Sequence, residues 1–212
     1  MLKCYDFIHY RGNLMTTSHV KTATESEEGA VIDALKLAFV SDPATRWVWP
    51  HPQKYLLHFS KFAKAFGGKS FVHKTAHYIG NYSGSALWLP PKVDPDVDTI
   101  LGLIEDTTSE EAQSVISKVF EEMGGYHPNE PHWYLPLLGV DPLHHGKGLG
   151  SALLEHATIK FDNDNVLAYL ESSNKRNIPF YERHGFELLG TIQVNEFPPI
   201  FPMLRKPQKY CS

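Results

Sequence analysis

Apolar residues recur three or four positions apart at two places in the first third of the chain, and each recurrence predicts an amphipathic helix. Val31, Leu35 and Phe39 follow Thr24-Glu-Ser-Glu27, a run with the form of a capping box. Tyr55, Phe59, Phe62 and Phe66 make an aromatic stripe that Gly67-Gly68 ends. The stretch between them, 42–50, breaks the pattern. Before the first helix, Val20, Thr22 and Thr24 are β-branched at alternate positions, which predicts a strand over 19–24. Further strands are predicted over 70–74, 77–80 and 85–89, and Pro90-Pro91 stops the last, since proline brings no N–H to a ladder. A helical region over 94–123 breaks near Thr107-Thr108-Ser109 and carries Ala112, Val115, Val119 and Met123 on one stripe. Gly124-Gly125 closes it, ahead of a linker at 126–131.

From 132 onward the apolar pattern is denser. Residues 132–141 read as a strongly apolar strand in which Pro136 predicts a bulge or local unpairing. A helix opens near Gly148 with Leu149, Leu153 and Ala157 on one face, and 166–171 is a second buried strand. A short helix then ends at Gly185, with Pro179 tolerable only in its first turn. Residues 186–194 and 200–205 predict a closing hairpin.

At 212 residues the chain is sized for one domain with an appendage. Residues 1–17 show no period and read as an N-terminal extension, 18–206 as the folded domain and 207–212 as a tail, with Met15 an alternative start. Hydrophobic residues make up 42%, too many for a disordered chain. A formal net charge of −4 argues against nucleic acid as a partner, because polyanion binders concentrate Lys and Arg. No apolar run reaches the roughly 18 residues of a membrane span. Cys4 and Cys211 stand at opposite extremes, and the opening residues hold no apolar stretch of signal-peptide length, which predicts a reducing, cytoplasmic setting. His73 and His77 lie four apart in strand-like sequence, where that spacing does not bring them together, and His144-His145 lacks a partner pair, so no metal is expected. There is no Gly-x-Ser-x-Gly elbow, and neither cysteine is placed as a nucleophile.

The chemistry is concentrated in Val140-Asp-Pro-Leu-His-His-Gly-Lys-Gly-Leu-Gly-Ser151, where a strand ends and three glycines spaced two apart open a helix. Glycines let the backbone approach a ligand closely, and the first helical N–H groups point outward without partners, so a diphosphate is the natural occupant, with Lys147 able to add a charge. A Walker A loop is excluded, because six residues separate Gly139 from Gly146-Lys147 where four are needed. A dinucleotide fingerprint is favoured by Glu171 at the end of the next strand. Against it, Pro142 to His145 intervene before the glycines, and too little chain follows Glu171 for a doubly wound sheet.

Val140-Asp-Pro142 followed by His145-Gly-Lys-Gly-Leu-Gly150 resembles the acetyl-CoA loop of the GNAT acetyltransferases, Arg/Gln-x-x-Gly-x-Gly/Ala after a strand ending Val-x-Pro. His145 stands where the family has Arg or Gln. Asn174, Tyr181, Gly185 and Phe186 fall on the family's Asn-x6-Tyr-x3-Gly-Phe segment. Glu130-Pro-His-Trp-Tyr-Leu, Arg176-Asn-Ile-Pro-Phe-Tyr-Glu-Arg and Asp42-Pro-Ala-Thr-Arg46 are similar to the puromycin N-acetyltransferase branch. The similarity runs over residues 20–206 and is tight over 130–188.

The resemblance implies an α/β fold of the GNAT type, a central twisted mixed sheet flanked by helices, whose strands near 132–140 and 166–171 run parallel and splay apart. Acetyl-CoA would be the co-substrate. Its pantetheine arm would lie in the gap against backbone groups of Leu138, Gly139 and Val140, and its diphosphate on His145, Gly146, Lys147, Gly148, Leu149, Gly150 and Ser151. Asn174 and Asn177 would bond the pantetheine amides or cap the helix that follows. Tyr181 occupies the position of the acid that protonates the leaving thiolate, and Glu171 is a candidate base acting through water. His132 and Tyr134 are rivals for the base, and a structural salt bridge accounts for Glu171 equally well. The implied reaction is direct acetyl transfer to a primary amine of a small molecule, by a monomer or homodimer. The amine pocket is expected from 42–50, 55–66 and 196–201, with Trp47 and Trp49 nearby. A module that binds acyl-CoA without turnover and a dinucleotide-dependent oxidoreductase are the alternatives.

Overall fold

A computed structural model describes residues 19–208. The expected extension over 1–17, Met15, Cys4 and Cys211 lie outside the described residues. Seven strands form one mixed sheet: β1 (Val20–Thr22), β2 (Ala76–Ile79), β3 (Gly84–Leu89), β4 (His132–Val140), β5 (Leu167–Ser172), β6 (Phe186–Leu188) and β7 (Phe201–Arg205), in the order β1-β2-β3-β4-β5-β7-β6. Every neighbouring pair is antiparallel except β4 and β5, which run parallel. No described helix is long and apolar enough to cross a membrane.

One face of the sheet is covered by α1 (Glu28–Ala38), α3 (Pro52–Gly67), α5 (Val97–Thr107) and α6 (Glu110–Tyr126), whose apolar stripes bury Leu35, Tyr55, Phe59, Ile100, Leu103, Ile116 and Val119 with Leu87 and Leu137 of the sheet. The other face is covered by α7 (Leu149–Asp164) and α8 (Ile178–Glu182), which bury Leu153, Leu154, Phe161 and Tyr181 against Trp88, Trp133, Leu135 and Leu170. The expected capping box closes the start of α1: the Glu27 carboxylate accepts the Thr24 amide at 2.9 Å and the Thr24 hydroxyl at 2.8 Å.

Pro136 sits at the irregularity its chemistry predicts. Leu87 pairs with Leu137 and Leu89 with Tyr134, so two steps on β3 oppose three on β4, a one-residue bulge. The bulge inverts the alternation of side chains. Trp133 and Leu135 face α7, but beyond Pro136 it is Leu138 that joins that layer and Leu137 the opposite one.

Two glycine pairs do not do what the sequence pattern suggests. Residues 70–74 are not a strand; they hold α4 (Lys69–Val72), which continues from α3 because Gly68 keeps helical dihedrals (φ −65°, ψ −24°) and its amide bonds the Lys64 carbonyl at 2.8 Å. Gly67 is required by packing, since a Cβ there would lie 2.7 Å from Leu87. Likewise Gly124-Gly125 does not end α6, which runs on to Tyr126. The stretch over 42–50 contains a further helix, α2 (Pro43–Val48), started by proline and capped by Asp42, whose carboxylate accepts the Thr45 amide at 2.9 Å.

Candidate active site

Strands β4 and β5 pair from His132↔Leu167 to Leu135↔Leu170 and no further. Past that point β4 keeps its bonds to β3 and β5 keeps its bonds to β7, so the strands diverge and leave a gap. The Asp141 amide donates to the Ser83 carbonyl at 2.9 Å, on the β3 side. Backbone groups alternate along a strand, so Gly139 faces β3 as well, while Leu138 and Val140 present theirs to the gap. A cavity of about 710 Å³ occupies this opening and extends on both sides of it. Every residue of the expected catalytic and cofactor set lines it except Lys147, which is exposed, and the rival bases His132 and Tyr134 do not line it.

At one end the wall is backbone. Gly146 and Gly148 hold φ of +74° and +77°, which L side chains rarely adopt, and a Cβ at either would meet nothing within 4 Å. The first intrahelical bond of α7 is Ala152 N–H to the Gly148 carbonyl at 3.0 Å, so the amides of Leu149, Gly150 and Ser151 precede the helical ladder. Bare main chain at a helix start fits a diphosphate. Gly150 has a different duty: its Cβ would lie 3.2 Å from the Phe180 ring, where α7 meets α8. The His145 Nε2–H donates to the Val140 carbonyl at 2.9 Å, which folds the loop back on the strand end. The Asn174 carboxamide oxygen accepts the Arg176 amide at 3.0 Å as a cap. Asn177 does not act as a side-chain cap for α8, and both asparagines line the cavity.

At the other end the wall is side chains, mostly apolar. Val48, Trp49, Phe62, Phe66, Phe197 and Ile200 come from the expected segments. Trp47 stands off the wall, edge-on to Phe197 at 4.9 Å, and Tyr55 and Phe59 are core. The pattern did not disclose that α5 and α6 contribute Ile104, Ile116, Val119, Phe120 and Met123. Val119 and Met123 belong to the stripe seen in the sequence, Ile116 and Phe120 do not, and only the tertiary packing tells which of them meets open space.

Two carboxylates break this apolar lining. Asp42 lies under the end of β5: the Ser173 hydroxyl donates to its second oxygen, and among the described residues no cationic side chain is within ion-pair distance of it. Burial raises its carboxyl above the usual range, against the opposing effect of the Ser173 and Thr45 bonds. Tyr181 is buried nearby; desolvation first, and then the Asp42 charge, push its phenol above the ordinary value.

Glu171, the other carboxylate, is 4% exposed, and its Oε1 stands 3.0 Å from His127 Nε2. His127 Nδ1 is 3.3 Å from His132 Nε2, and His132 Nδ1 is 2.9 Å from the Glu130 carbonyl. Burial pushes the His132 imidazole down. Burial first, and then the Glu171 charge, raise the phenols of Tyr134 and Tyr169. The Glu171 carboxylate thus lies beside a histidine from the segment read as a linker. Among the described residues no group of three His, Cys, Asp or Glu side chains is placed to hold a metal ion.

Comparison with known proteins bears on this arrangement directly. The acetyltransferase (GNAT) family pattern matches residues 40–186, well over half of the chain. The chain belongs to the GNAT acetyltransferase family. The GNAT family uses acetyl-CoA. It is 35% identical over 79 residues to an uncharacterized N-acetyltransferase of Schizosaccharomyces pombe, a match covering 36% of this chain and 32% of that one. It is 37% identical over 78 residues to a mycothiol acetyltransferase of Propionibacterium freudenreichii, covering 35% and 23%. The match thus spans less than a third of either relative's length. The structure of a histone acetyltransferase HPA2 and related acetyltransferase from Corynebacterium glutamicum superposes with a TM-score of 0.64 at 24% identity, covering 92% of this chain and 99% of that one, which establishes the GNAT fold.

Proposed function

We propose that this N-acetyltransferase moves the acetyl group of acetyl-CoA to a primary amine borne on a small, apolar, ring-bearing molecule, by direct attack on the thioester. One observation carries the reading: the β4–β5 gap joins a backbone-walled end suited to a diphosphate with a chamber of aromatic and aliphatic side chains that holds two carboxylates. The puromycin-branch resemblance at 42–46, 130–135 and 176–183 points to the same class of acceptor, and 42–46 includes wall residues of that chamber.

In this reading Leu138 and Val140 offer the gap the amides that bind pantetheine and polarise the thioester oxygen. The amides from Gly146 to Ser151 take the diphosphate. Asn174 and Asn177 flank the pantetheine arm. Asp42 is the counter-charge for the incoming ammonium, a desolvated anion that gains a cation only when the acceptor arrives. Glu171 removes protons from the nitrogen. Tyr181 stays protonated at neutral pH because its pKa is raised, so its proton is available when the C–S bond breaks and the thiolate forms.

The test is thiol release from acetyl-CoA with 2-phenylethylamine, puromycin, spermidine, free amino acids and short peptides, alongside calorimetric titration of acetyl-CoA. Release is expected to be greatest with the ring-bearing amines. Acetyl-CoA binding with no release from any amine would support the non-catalytic module instead. Preference for spermidine would overturn the apolar-acceptor assignment.

A further inference from the structure

Ser151 lines the diphosphate end of the cavity, and its hydroxyl makes one hydrogen bond among the described residues, to His184 Nε2 at 3.0 Å. A serine in a helix commonly turns its hydroxyl back to a carbonyl of the preceding turn, and this one does not. His184 follows α8 and stands off the cavity wall, so its route to the cavity is Ser151.

The histidine is fixed from behind. Arg205 Nε–H donates to the His184 carbonyl at 2.9 Å, and the two terminal nitrogens of the same guanidinium donate to both oxygens of Asp162 at 2.6 and 2.7 Å. Arg205 and Asp162 are buried, and Asp162 belongs to the last turn of α7. The Phe180 ring, which lies against Gly150, stands edge-on to the imidazole at 5.2 Å. His184 is thus tied to both ends of α7, to the last turn through its carbonyl and to the first through its ring.

The Ser151–His184 contact holds one proton, and that proton has two candidate owners. Either the hydroxyl donates to a bare Nε2, or an Nε2–H donates to the hydroxyl oxygen. The first arrangement turns only lone pairs to the cavity; the second frees the hydroxyl proton for it. A diphosphate accepts hydrogen bonds and donates none, so it selects the second, and an anion beside the pair favours the charged ring. Without that anion the charged ring is disfavoured. Burial holds the imidazole below its usual value; the Glu155 carboxylate opposes this, and the Arg183 and Arg205 charges add to it.

We infer that His184 is a positioning residue for the coenzyme: it turns the Ser151 hydroxyl proton onto the diphosphate and takes up a proton itself as the diphosphate binds. The inference rests on the coenzyme site of the acetyl-transfer reading above. Ser151 keeps its own proton, shared with a phosphate oxygen, and the ring goes from neutral to charged with one proton from solvent. The groups facing the ring are Ser151 and Glu155 of α7, Phe180 of α8, Arg183 beside it and Arg205 of β7.

The test uses the full chain and 3′-dephospho-coenzyme A, which keeps the diphosphate and lacks the terminal phosphate that titrates near pH ~6. Calorimetry in two buffers of different ionisation enthalpy should show about half a proton taken up per ligand at pH 7, and affinity should rise ~3–10-fold from pH 8 to pH 6. His184→Gln keeps an N–H toward Ser151 and cannot become charged. Its affinity at pH 8 should stay within threefold of wild type, while the uptake and the rise disappear. His184→Leu and Ser151→Ala should each weaken binding ~3–10-fold at pH 7, with the double variant no weaker than either. Nitrogen-15 spectra of the saturated complex should show His184 Nε2 protonated. A bare Nε2 in that complex, undiminished uptake in H184Q, or additive losses in the double variant overturns the inference. Failure of the folded wild type to bind either acetyl-CoA or the dephospho form would overturn the coenzyme reading separately.

Discussion

The two ends of the cavity are built in opposite ways. The loop over 146–151 presents main chain, and its demands on sequence are geometric: positive φ at Gly146 and Gly148, and room for Phe180 at Gly150. The acceptor chamber presents side chains drawn from α2, α3, α5, α6 and the loop before β7, and no single position there is required by backbone geometry. In the proposed reading, the group common to every turnover would be held by atoms that substitution cannot easily change, and the acceptor would be met by atoms that substitution changes freely.

The sharpest test of that division lies between the two ends. Tyr181→Phe keeps the buried ring and removes the proton; kcat should fall at least ~100-fold while the calorimetric affinity for acetyl-CoA stays within twofold. A matching loss of affinity would mean that the hydroxyl belongs to the cofactor end. Acid should loosen the packing of α7 on β2. His77 of β2 packs edge-on against His156 of α7, at 4.7 Å, and burial with that neighbour pushes its pKa down to about 4. A depressed imidazole binds fewer protons when folded. Its contribution is thus fully present above pH ~6.5 and lost as pH falls toward 4, at most ~3 kcal/mol, read from urea unfolding at several pH values. His77→Gln should flatten that slope.

Gly148→Val forces a β-branched residue into φ +77° and should weaken acetyl-CoA binding ~10–100-fold by calorimetry, with the melting of the sheet little changed. Phe120→Ala enlarges the chamber and should raise the acceptor KM ~10-fold while leaving acetyl-CoA affinity within twofold. If Phe120→Ala instead weakens the cofactor, the two ends are not separable.

The same contrast explains what could be read from the sequence. The glycine loop, β4, β5 and α8 were legible because spacing and residue type there follow from backbone requirements, and Pro136 announced its bulge. The glycine pairs at 67–68 and 124–125 misled, because glycine marks both a helix stop and a close approach, and Leu87 against Gly67 is visible only in three dimensions. His127 was missed since nothing local distinguishes a histidine in a six-residue connection from one that meets Glu171 across the fold. Asp42 stood in a segment read as breaking the helical pattern, and its contact with Ser173 joins positions 131 residues apart.

The extra residue in β4 also sets how this site can be lost. Deleting Pro136 would return the strand to strict alternation, with Trp133, Leu135 and Leu138 on one face in unbroken steps, and a longer parallel ladder with β5 could close. The opening between the central strands is in that sense a one-residue frameshift written into the pleat, and its removal would leave a flawless sheet with nowhere for a thioester to lie.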